Sequence, residues 1–278
     1  MSFKQHLFER YGISPEKIPG SYQQVGDIVL LKFPKTSQSA EKKAIAQVML
    51  RYVPYAKTVC EMEGIRGELR TPKVGVLASK FSRPKTETTH RENGIAYLID
   101  VRRIMFSKGN VAERQRLLPM IKRNEVIVDM FAGIGYFSLG LARFTPCSKV
   151  YAIEKNPMAF RYLKKNIKLN KIDKIRPIAG DCRKVSIREK ADRVIMGYFP
   201  ETQKFLPKAF SMLGQKGTIH YHNIYPEEKL WHEPVAEIEK AAKAAGFKLS
   251  SIVNQHIVKS FAPRVQHVVI DAAVEKAD

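Results

Sequence analysis

Asp129-Met130-Phe131-Ala132-Gly133-Ile134-Gly135-Tyr136-Phe137 is the stretch of this 278-residue chain with the clearest chemical purpose. It follows Val126-Ile127-Val128, an apolar run of the kind that forms a parallel strand covered on both faces, so the glycines fall in a strand-to-helix turn. Gly133 and Gly135 let the backbone approach a nucleotide with no Cβ in between. Glu154 stands 21 residues after Gly133, where a carboxylate can accept hydrogen bonds from both ribose hydroxyls. An NAD enzyme would show the same spacing, but two details point elsewhere. Ser138 replaces the third glycine that packs a dinucleotide pyrophosphate, and Asp181, in Gly180-Asp181-Cys182-Arg183, can accept from an adenine amino group. A nucleoside without phosphates satisfies both; the competing reading of Asp181 is a helix cap.

Other candidate chemistry is sparse. His220 and His222 alternate along a strand without a third ligand, so no metal site is expected. Cys60, Cys147 and Cys182 are far apart with no Cys-x-x-Cys pair, which fits neither a disulfide framework nor zinc and suggests a reducing compartment. No apolar run approaches the roughly 20 residues of a membrane span, and the N-terminus does not read as a signal peptide. A cytoplasmic protein is expected.

The charge names a partner class. The chain carries +21 with a pI near 9.9, beyond what solubility requires, which makes nucleic acid the leading partner over a merely lysine-rich surface. Residues 1 to 110 hold 19 Lys and Arg against 10 Asp and Glu, so both halves are basic and no tail accounts for the excess.

The elements that must position these groups follow from periodicity. Residues 3 to 10 read as a short helix, 27 to 33 as a strand, and Ser39 as the cap of a helix with Ile45, Val48, Met49 and Tyr52 on its apolar face. Val74 to Leu77 and Ile95 to Ile99 suggest further strands in a stretch rich in Gly, Pro and charge. From Glu125 a βαβ grammar begins, with strands expected at 126–129, 149–153, 175–179, 193–196 and 218–222. Pro157 after Asn156 opens a helix on which Ala159, Leu163 and Ile167 face inward while Lys164, Lys165 and Lys168 face out. A helix over 233–245 stops at Gly246, and two long strands, 249–258 and 265–273, end the chain. Five parallel strands plus a hairpin make a seven-stranded α/β sheet with an antiparallel edge. The expected domains are a smaller α+β unit over 1–110 and a nucleotide-binding unit over 111–278.

Asp-x-Phe-Ala-Gly-x-Gly-x-Phe at 129–137, Glu-x-Asn-Pro at 154–157 and Gly180-Asp181 resemble the class I, Rossmann-like, S-adenosylmethionine-dependent transferases. His90-Arg91-Glu92-Asn93-Gly94, Phe106-Ser107-x-x-Asn110-x-x-Glu113-Arg114 and Lys259-Ser260-Phe261-Ala262-Pro263-Arg264 narrow this to the archaeal and eukaryotic enzymes acting at tRNA position 37. Those are the guanine-N1 methyltransferases and the related wybutosine-pathway aminocarboxypropyltransferases. The resemblance runs from about Glu61 to Asp271. The methyltransferases carry an Asn-Pro-Pro or Asn-Leu-Pro type loop after the fourth strand, where this chain has Gly197-Tyr198-Phe199-Pro200. Losing the asparagine removes a partner for the base edge and opens room for a bulkier, tricyclic base.

The resemblance therefore implies transfer of the 3-amino-3-carboxypropyl group of S-adenosylmethionine to 4-demethylwyosine at tRNA position 37. The N1-methyltransferase is the alternative, and a silent RNA-binding protein of the same fold a more distant one. Expected cofactor contacts are Ser107, Arg114, Asp129, Phe131, Gly133, Gly135, Glu154 with its neighbour Lys155, Asp181 with Cys182, and Gly197. Ser107 and Arg114 are candidate anchors for the carboxylate of the transferred arm. Glu113 matches the general-base position of the methyl family, with pairing to Arg116 or Lys108 as its ordinary alternative. His90, Arg91, Lys259 and Arg264 are the expected RNA contacts, although for His90 taken alone a structural role is the favoured reading.

Overall fold

The computed structural model describes residues 3–67, 69–106 and 110–277, and the chain divides into two compact units, Met1–Phe106 and Ser107–Asp278. In the first unit α1 (Phe3–Tyr11) precedes β1 (Tyr22–Val25) and β2 (Ile28–Leu31), then α2 (Ser39–Tyr52), β3 (Thr58–Arg66) and β4 (Thr71–Ser79). The four strands lie in the order β1-β2-β3-β4, with β2 and β3 parallel and the other pairs antiparallel. One parallel pair needs a crossover, and α2 supplies it, burying Ile45, Ala46, Met49 and Leu50. Its start is fixed one residue before the expected cap: the Gln38 amide donates to the Glu41 carboxylate at 2.8 Å, half of a capping box. Val48 and Tyr52 pack against the rim of that core rather than inside it.

A hairpin, β5 (Glu87–Glu92) with β6 (Ile95–Asp100), completes the unit. Its turn is Asn93-Gly94, both with positive φ (49° and 75°), the geometry of a two-residue hairpin loop. The apolar stretches at 74–77 and 95–99 do lie in strands, but β3 and β5 were not anticipated. β5 is Glu-Thr-Thr-His-Arg-Glu, too polar to read as a strand, and the Asn-Gly pair was the signal that it pairs with the apolar run after it.

The second unit follows its expected grammar. After α3 (Val111–Arg116) come β7 (Val126–Asp129), α4 (Ser138–Phe144), β8 (Lys149–Glu154), α5 (Pro157–Leu169), β9 (Ile175–Ala179), β10 (Ala191–Met196), α6 (Leu206–Met212), β11 (Leu213–Pro226), α7 (His232–Ala244), β12 (Phe247–Ala262) and β13 (Val265–Lys276). The sheet order is β12-β13-β11-β10-β7-β8-β9, parallel from β11 to β9 and antiparallel where β13 joins. β11 runs well past the expected 218–222 because β13 extends its ladder as far as Pro226 opposite Val265. Asn156 caps α5 by accepting from the Met158 and Ala159 amides, with Pro157 at the first helical position, as its sequence indicates.

The strand order reverses between β7 and β10, and a crevice at the carboxyl ends of such neighbouring strands is where α/β sheets bind ligands. Asp129 and Glu154 close β7 and β8, Asp181 follows β9 by two residues, and Gly197 follows β10 by one. Among the described residues, no helix is long and apolar enough to cross a membrane.

Candidate active site

Asp129 is fully buried and joins the end of β7 to the start of α4. The Ser138 hydroxyl donates to one oxygen at 2.6 Å and the Phe131 amide to the other at 3.3 Å. Burial pushes its carboxyl up to about 6, against those two bonds. Ser138, read from sequence only as a missing glycine, is thus what braces the turn. Gly133 has φ +58°, and a Cβ there would sit 2.6 Å from the Tyr136 ring; at Gly135, φ +101°, it would meet Leu139 at 2.6 Å. Both positions need glycine for conformation and for space.

The Glu154 carboxylate is clasped by two amides, Gly133 N–H to one oxygen at 2.7 Å and Asn156 N–H to the other at 2.6 Å. Each oxygen keeps a second lone pair for a ligand hydroxyl. Asp181 is gripped by the Arg183 fork, at 3.0 and 2.5 Å, and Lys155 stands 3.5 Å from it. Those cations, the Arg183 bond foremost, hold its carboxyl well below the ordinary range. Residues 182–184 form a turn, so Asp181 caps no helix. The Cys182 thiol is buried in the core that also holds Met130 and Ile153, and burial pushes it up to about 12, which leaves only its backbone to meet a ligand.

Aromatic rings line the same end of the sheet. Phe131 stacks on Tyr198 with centroids 4.9 Å apart and planes 20° from parallel, and Phe205 meets it edge-on. Arg183 lies over Phe205 at 5.1 Å. A Cβ on Gly197 would approach the Phe137 ring to 2.8 Å, so a larger residue there has to displace that ring. Tyr198 and Phe199 part company there: Phe199 packs on His267 at 4.4 Å and Phe261 at 5.6 Å, on the β12–β13 side. Tyr198, Phe205 and Arg183 were not singled out from sequence, although Arg183 lies inside the quoted Gly-Asp motif.

Glu113 and Arg114 are both buried on α3. The Arg114 guanidinium lies 5.9 Å from the Tyr136 ring centre, which ties α3 to the glycine turn. Glu113 does pair with Arg116, as its ordinary alternative held, but Glu113 is buried and Arg116 mostly so, rather than both being exposed. Arg116 binds both its oxygens, at 2.9 and 2.8 Å, His256 Nε2 donates at 3.0 Å, and His222 Nε2 is 3.6 Å away. Burial alone would raise the Glu113 carboxyl, yet Arg116 and His256 outweigh it and hold it at about 2. Ser107 and Lys108 lie outside the described residues.

Arg116 also forks onto Asp271, at 2.5 and 3.1 Å, and from there a chain of charge crosses the sheet. Asp271 meets His220 Nδ1 at 2.5 Å, His220 Nε2 meets Arg193 at 2.7 Å, and Arg193 forks onto Glu125 at 2.9 Å on both arms. An arginine only donates, so His220 Nε2 is an acceptor and its proton sits on Nδ1, aimed at Asp271. His222 Nδ1 and His267 Nε2 meet at 3.3 Å. Burial lowers His222 to about 4 and His267 to about 3, so both are neutral imidazoles at pH 7. Among the described residues, no group of His, Cys, Asp or Glu is arranged to hold a metal ion.

The four expected RNA contacts differ in setting. In the first unit His90 accepts from the Gly26 amide through Nδ1 at 3.2 Å and sits edge-on to Phe106, a structural placement, while Arg91 is exposed. In the second, Lys259 donates to Asn110 at 2.8 Å, and Arg264 is exposed at the β12–β13 turn with φ +57°.

This sheet order, with a glycine turn after the first parallel strand and carboxylates after the next two, defines an S-adenosylmethionine-dependent transferase domain. Residues 88–250 match the model of the TRM5/TYW2 methyltransferase domain and residues 11–79 that of the TYW2 N-terminal domain. The chain belongs to the TRM5/TYW2 family. It is 42% identical to the tRNA(Phe) (4-demethylwyosine(37)-C(7)) aminocarboxypropyltransferase of Methanocaldococcus jannaschii, over 92% of this chain and 98% of that protein. The crystal structure of Pyrococcus horikoshii TYW2 in complex with MeSAdo superposes with a TM-score of 0.84 at 35% identity, covering 99% of this chain and 100% of that one. Trm5b from Pyrococcus abyssi gives the same TM-score at 33% identity, covering 99% and 79%. Backbone likeness thus does not separate the two chemistries, whereas sequence identity and the N-terminal unit do.

Proposed function

We propose that this protein moves the 3-amino-3-carboxypropyl group of S-adenosylmethionine onto the tricyclic base 4-demethylwyosine at tRNA position 37, in the cytoplasm. The observation that carries this is end-to-end similarity, at 42% and 39% identity, to two archaeal aminocarboxypropyltransferases, with a TYW2-type N-terminal unit. The Gly197-Tyr198-Phe199-Pro200 loop supports it, since it has no asparagine to clamp a guanine edge.

The nucleotide end fits the donor. Glu154 accepts from the ribose hydroxyls on the lone pairs its amide clasp leaves over, Asp181 with Lys155 faces the adenine edge, and Gly133, Gly135 and Gly197 give the backbone beside the donor its shape, with Tyr136, Leu139 and Phe137 packed where a Cβ would be. Phe131 and Tyr198 give it an apolar wall. Bound S-adenosylmethionine supplies a sulfonium with three activated carbons, and orientation decides which one moves. We assign that orientation to Arg114 and Ser107 as anchors of the amino-acid arm. Glu113, saturated by Arg116 and His256, is a weak proton acceptor as placed; we assign it the task of fixing α3 and Arg116, and proton acceptance by it would first require the fork to open. His90 and Arg91 of the first unit, and Lys259 and Arg264 of the second, are assigned to the RNA, His90 through the strand it anchors. The first unit as a whole is assigned to the tRNA.

The test follows the moving carbon. The protein is incubated with tRNA bearing the tricyclic base, or with guanosine-37 tRNA, using donor labelled in the methyl or the carboxyl carbon. Carboxyl label should enter only the tricyclic tRNA, with release of methylthioadenosine. Methyl label on guanosine-37 tRNA would replace this reading with N1-methylation.

A further inference from the structure

The exposed side of α5 is strongly basic. Between Lys155 and Arg176 the chain has eight Lys and Arg and one acid, Asp173, which is a third of the protein's net charge in 22 residues. Within that stretch Arg161, Lys164, Lys168 and Lys171 follow one another at steps of three, four and three residues, and all four are exposed. Arg161, Lys164 and Lys168 at that spacing share one face of α5, about 5–6 Å apart, and Lys171 follows in the turn at its end. None of the four is paired with a carboxylate among the described residues, and Lys164 rests over the Phe160 ring at 5.2 Å.

A solvated face would look different. α7 has Glu233, Glu237 and Glu239 interleaved with Lys240 and Lys243, and α1 and α2 each carry an acid; of the helices longer than eight residues, α5 alone has none. Like charges three and four apart weaken a helix, and α5 carries that repulsion among Arg161, Lys164 and Lys168 with no acid to offset it. On α7 opposite charges also stand at that spacing, Glu237 with Lys240 and Glu239 with Lys243. The helix that bears the stripe is also held firmly. Its inner face buries Ala159, Tyr162, Leu163 and Asn166, Asn166 donates to the Ile134 carbonyl of the glycine turn at 3.1 Å, and Arg143 secures the Asn170 carbonyl at its end.

We propose that the outer face of α5 is a second tRNA-contact surface, a row of cations that tracks backbone phosphates away from the nucleotide pocket. It rests on the tRNA reading above and extends it. α5 starts just after Glu154, at the ligand end of the sheet, and runs back along the domain for about 20 Å. A backbone strand leaving a base held at that end meets one cation per helical turn, and phosphates are read there by charge and spacing, without sequence. An anionic membrane is the poorer partner, because a helix that lies in a bilayer interface turns its apolar face outward, and that of α5 is buried against the sheet.

The experiment uses the full chain and tRNA carrying the tricyclic base. Arg161, Lys164, Lys168 and Lys171 are changed together to Gln in one variant and to Glu in another, with S-adenosylmethionine affinity as the check on an intact nucleotide site. Affinity for tRNA is measured from low to high KCl. The slope of log affinity against log salt should fall by about three in the Gln variant. KM for tRNA should rise about tenfold or more, further in the Glu variant, with kcat at saturating tRNA unchanged. Wild-type slope and KM in both variants would overturn the proposal while leaving the assigned reaction standing. Loss of binding to phosphatidylserine vesicles with tRNA KM unaltered would give the face to a membrane instead. If wild-type protein binds tRNA with no salt dependence, the tRNA reading falls and the stripe with it.

Discussion

The carboxylates of the second unit live in two kinds of setting. Glu154 and Asp181 each have one partner two residues away, the Asn156 amide and the Arg183 side chain, and one from a neighbouring turn, the Gly133 amide and the Lys155 side chain, and both remain partly exposed. Glu113 and Asp271 are buried and held by an arginine 3 residues away from one and 155 from the other. The first pair can trade or share a partner with a ligand. The second has given its lone pairs to the protein, so its value is structural: it fastens α3, with Arg114 and Glu113 on it, to the strands behind the site.

The largest expected effect breaks the second setting. Arg116→Met leaves two buried carboxylates without their shared cation, and removing one partner of a buried ion group costs about 3–5 kcal/mol. Urea unfolding should show that loss. A cost below about 1 kcal/mol would mean that the histidines alone satisfy Glu113 and Asp271, and the contrast between the two settings would collapse.

The complementary change is smaller and moves a different quantity. Glu154→Ala should weaken S-adenosylmethionine binding by about 1.5–3 kcal/mol, the scale of a hydrogen bond to a charged group, measured by calorimetry. Its unfolding free energy should shift by about 1 kcal/mol or less, since only two backbone amides lose a part-buried acceptor. Equal losses in binding and stability would place Glu154 with the buried group instead.

The same contrast explains what could be read from sequence. Glu154, Asp181 and the glycines were legible because each falls at a fixed offset after a strand, and local spacing is what a sequence displays. The buried chain was not, since Arg193 and Glu125 lie 68 residues apart and His220 and Asp271 lie 51 apart. Its trace was nonetheless present: a carboxylate in the middle of Val268-Val269-Ile270-Asp271-Ala272, and His220 and His222 alternating in an apolar strand. Polar groups at buried positions need partners, and weighing the histidines only as metal ligands missed the arginine and aspartate that satisfy them. In the first unit, β3 and β5 escaped because cross-strand pairing, not their own composition, makes them strands.

The finest probe of the comparison is Asp129, which belongs to the nucleotide end yet is as buried as Asp271. Its carboxyl is pushed up to about 6 by burial, whereas Asp271 is held down by His220 and Arg116, and Glu113 by Arg116 and His256. The signs are opposite. A carboxyl raised from 3.8 to about 6 favours the folded state below pH 3.8 and loses that contribution as pH rises through about 6. Glu113, lowered from 4.5 to about 2, contributes fully above pH 4.5 and loses that contribution as pH falls through about 2. Asp129→Asn removes only the first term, and the amide oxygen can still accept from Ser138. The variant should therefore match or fall slightly below wild type near pH 4 and gain about 1 kcal/mol on it by pH 7, because relief from a buried charge is partly offset by weaker bonds to Ser138 and Phe131. Urea midpoints of both proteins between pH 4 and 8 check this. The gap should open from about pH 4 and level off above about 6; a gap that is flat with pH, or that widens toward acid, would show that Asp129 is held ionised like the network acids and that burial without a cation is not what sets the two ends apart.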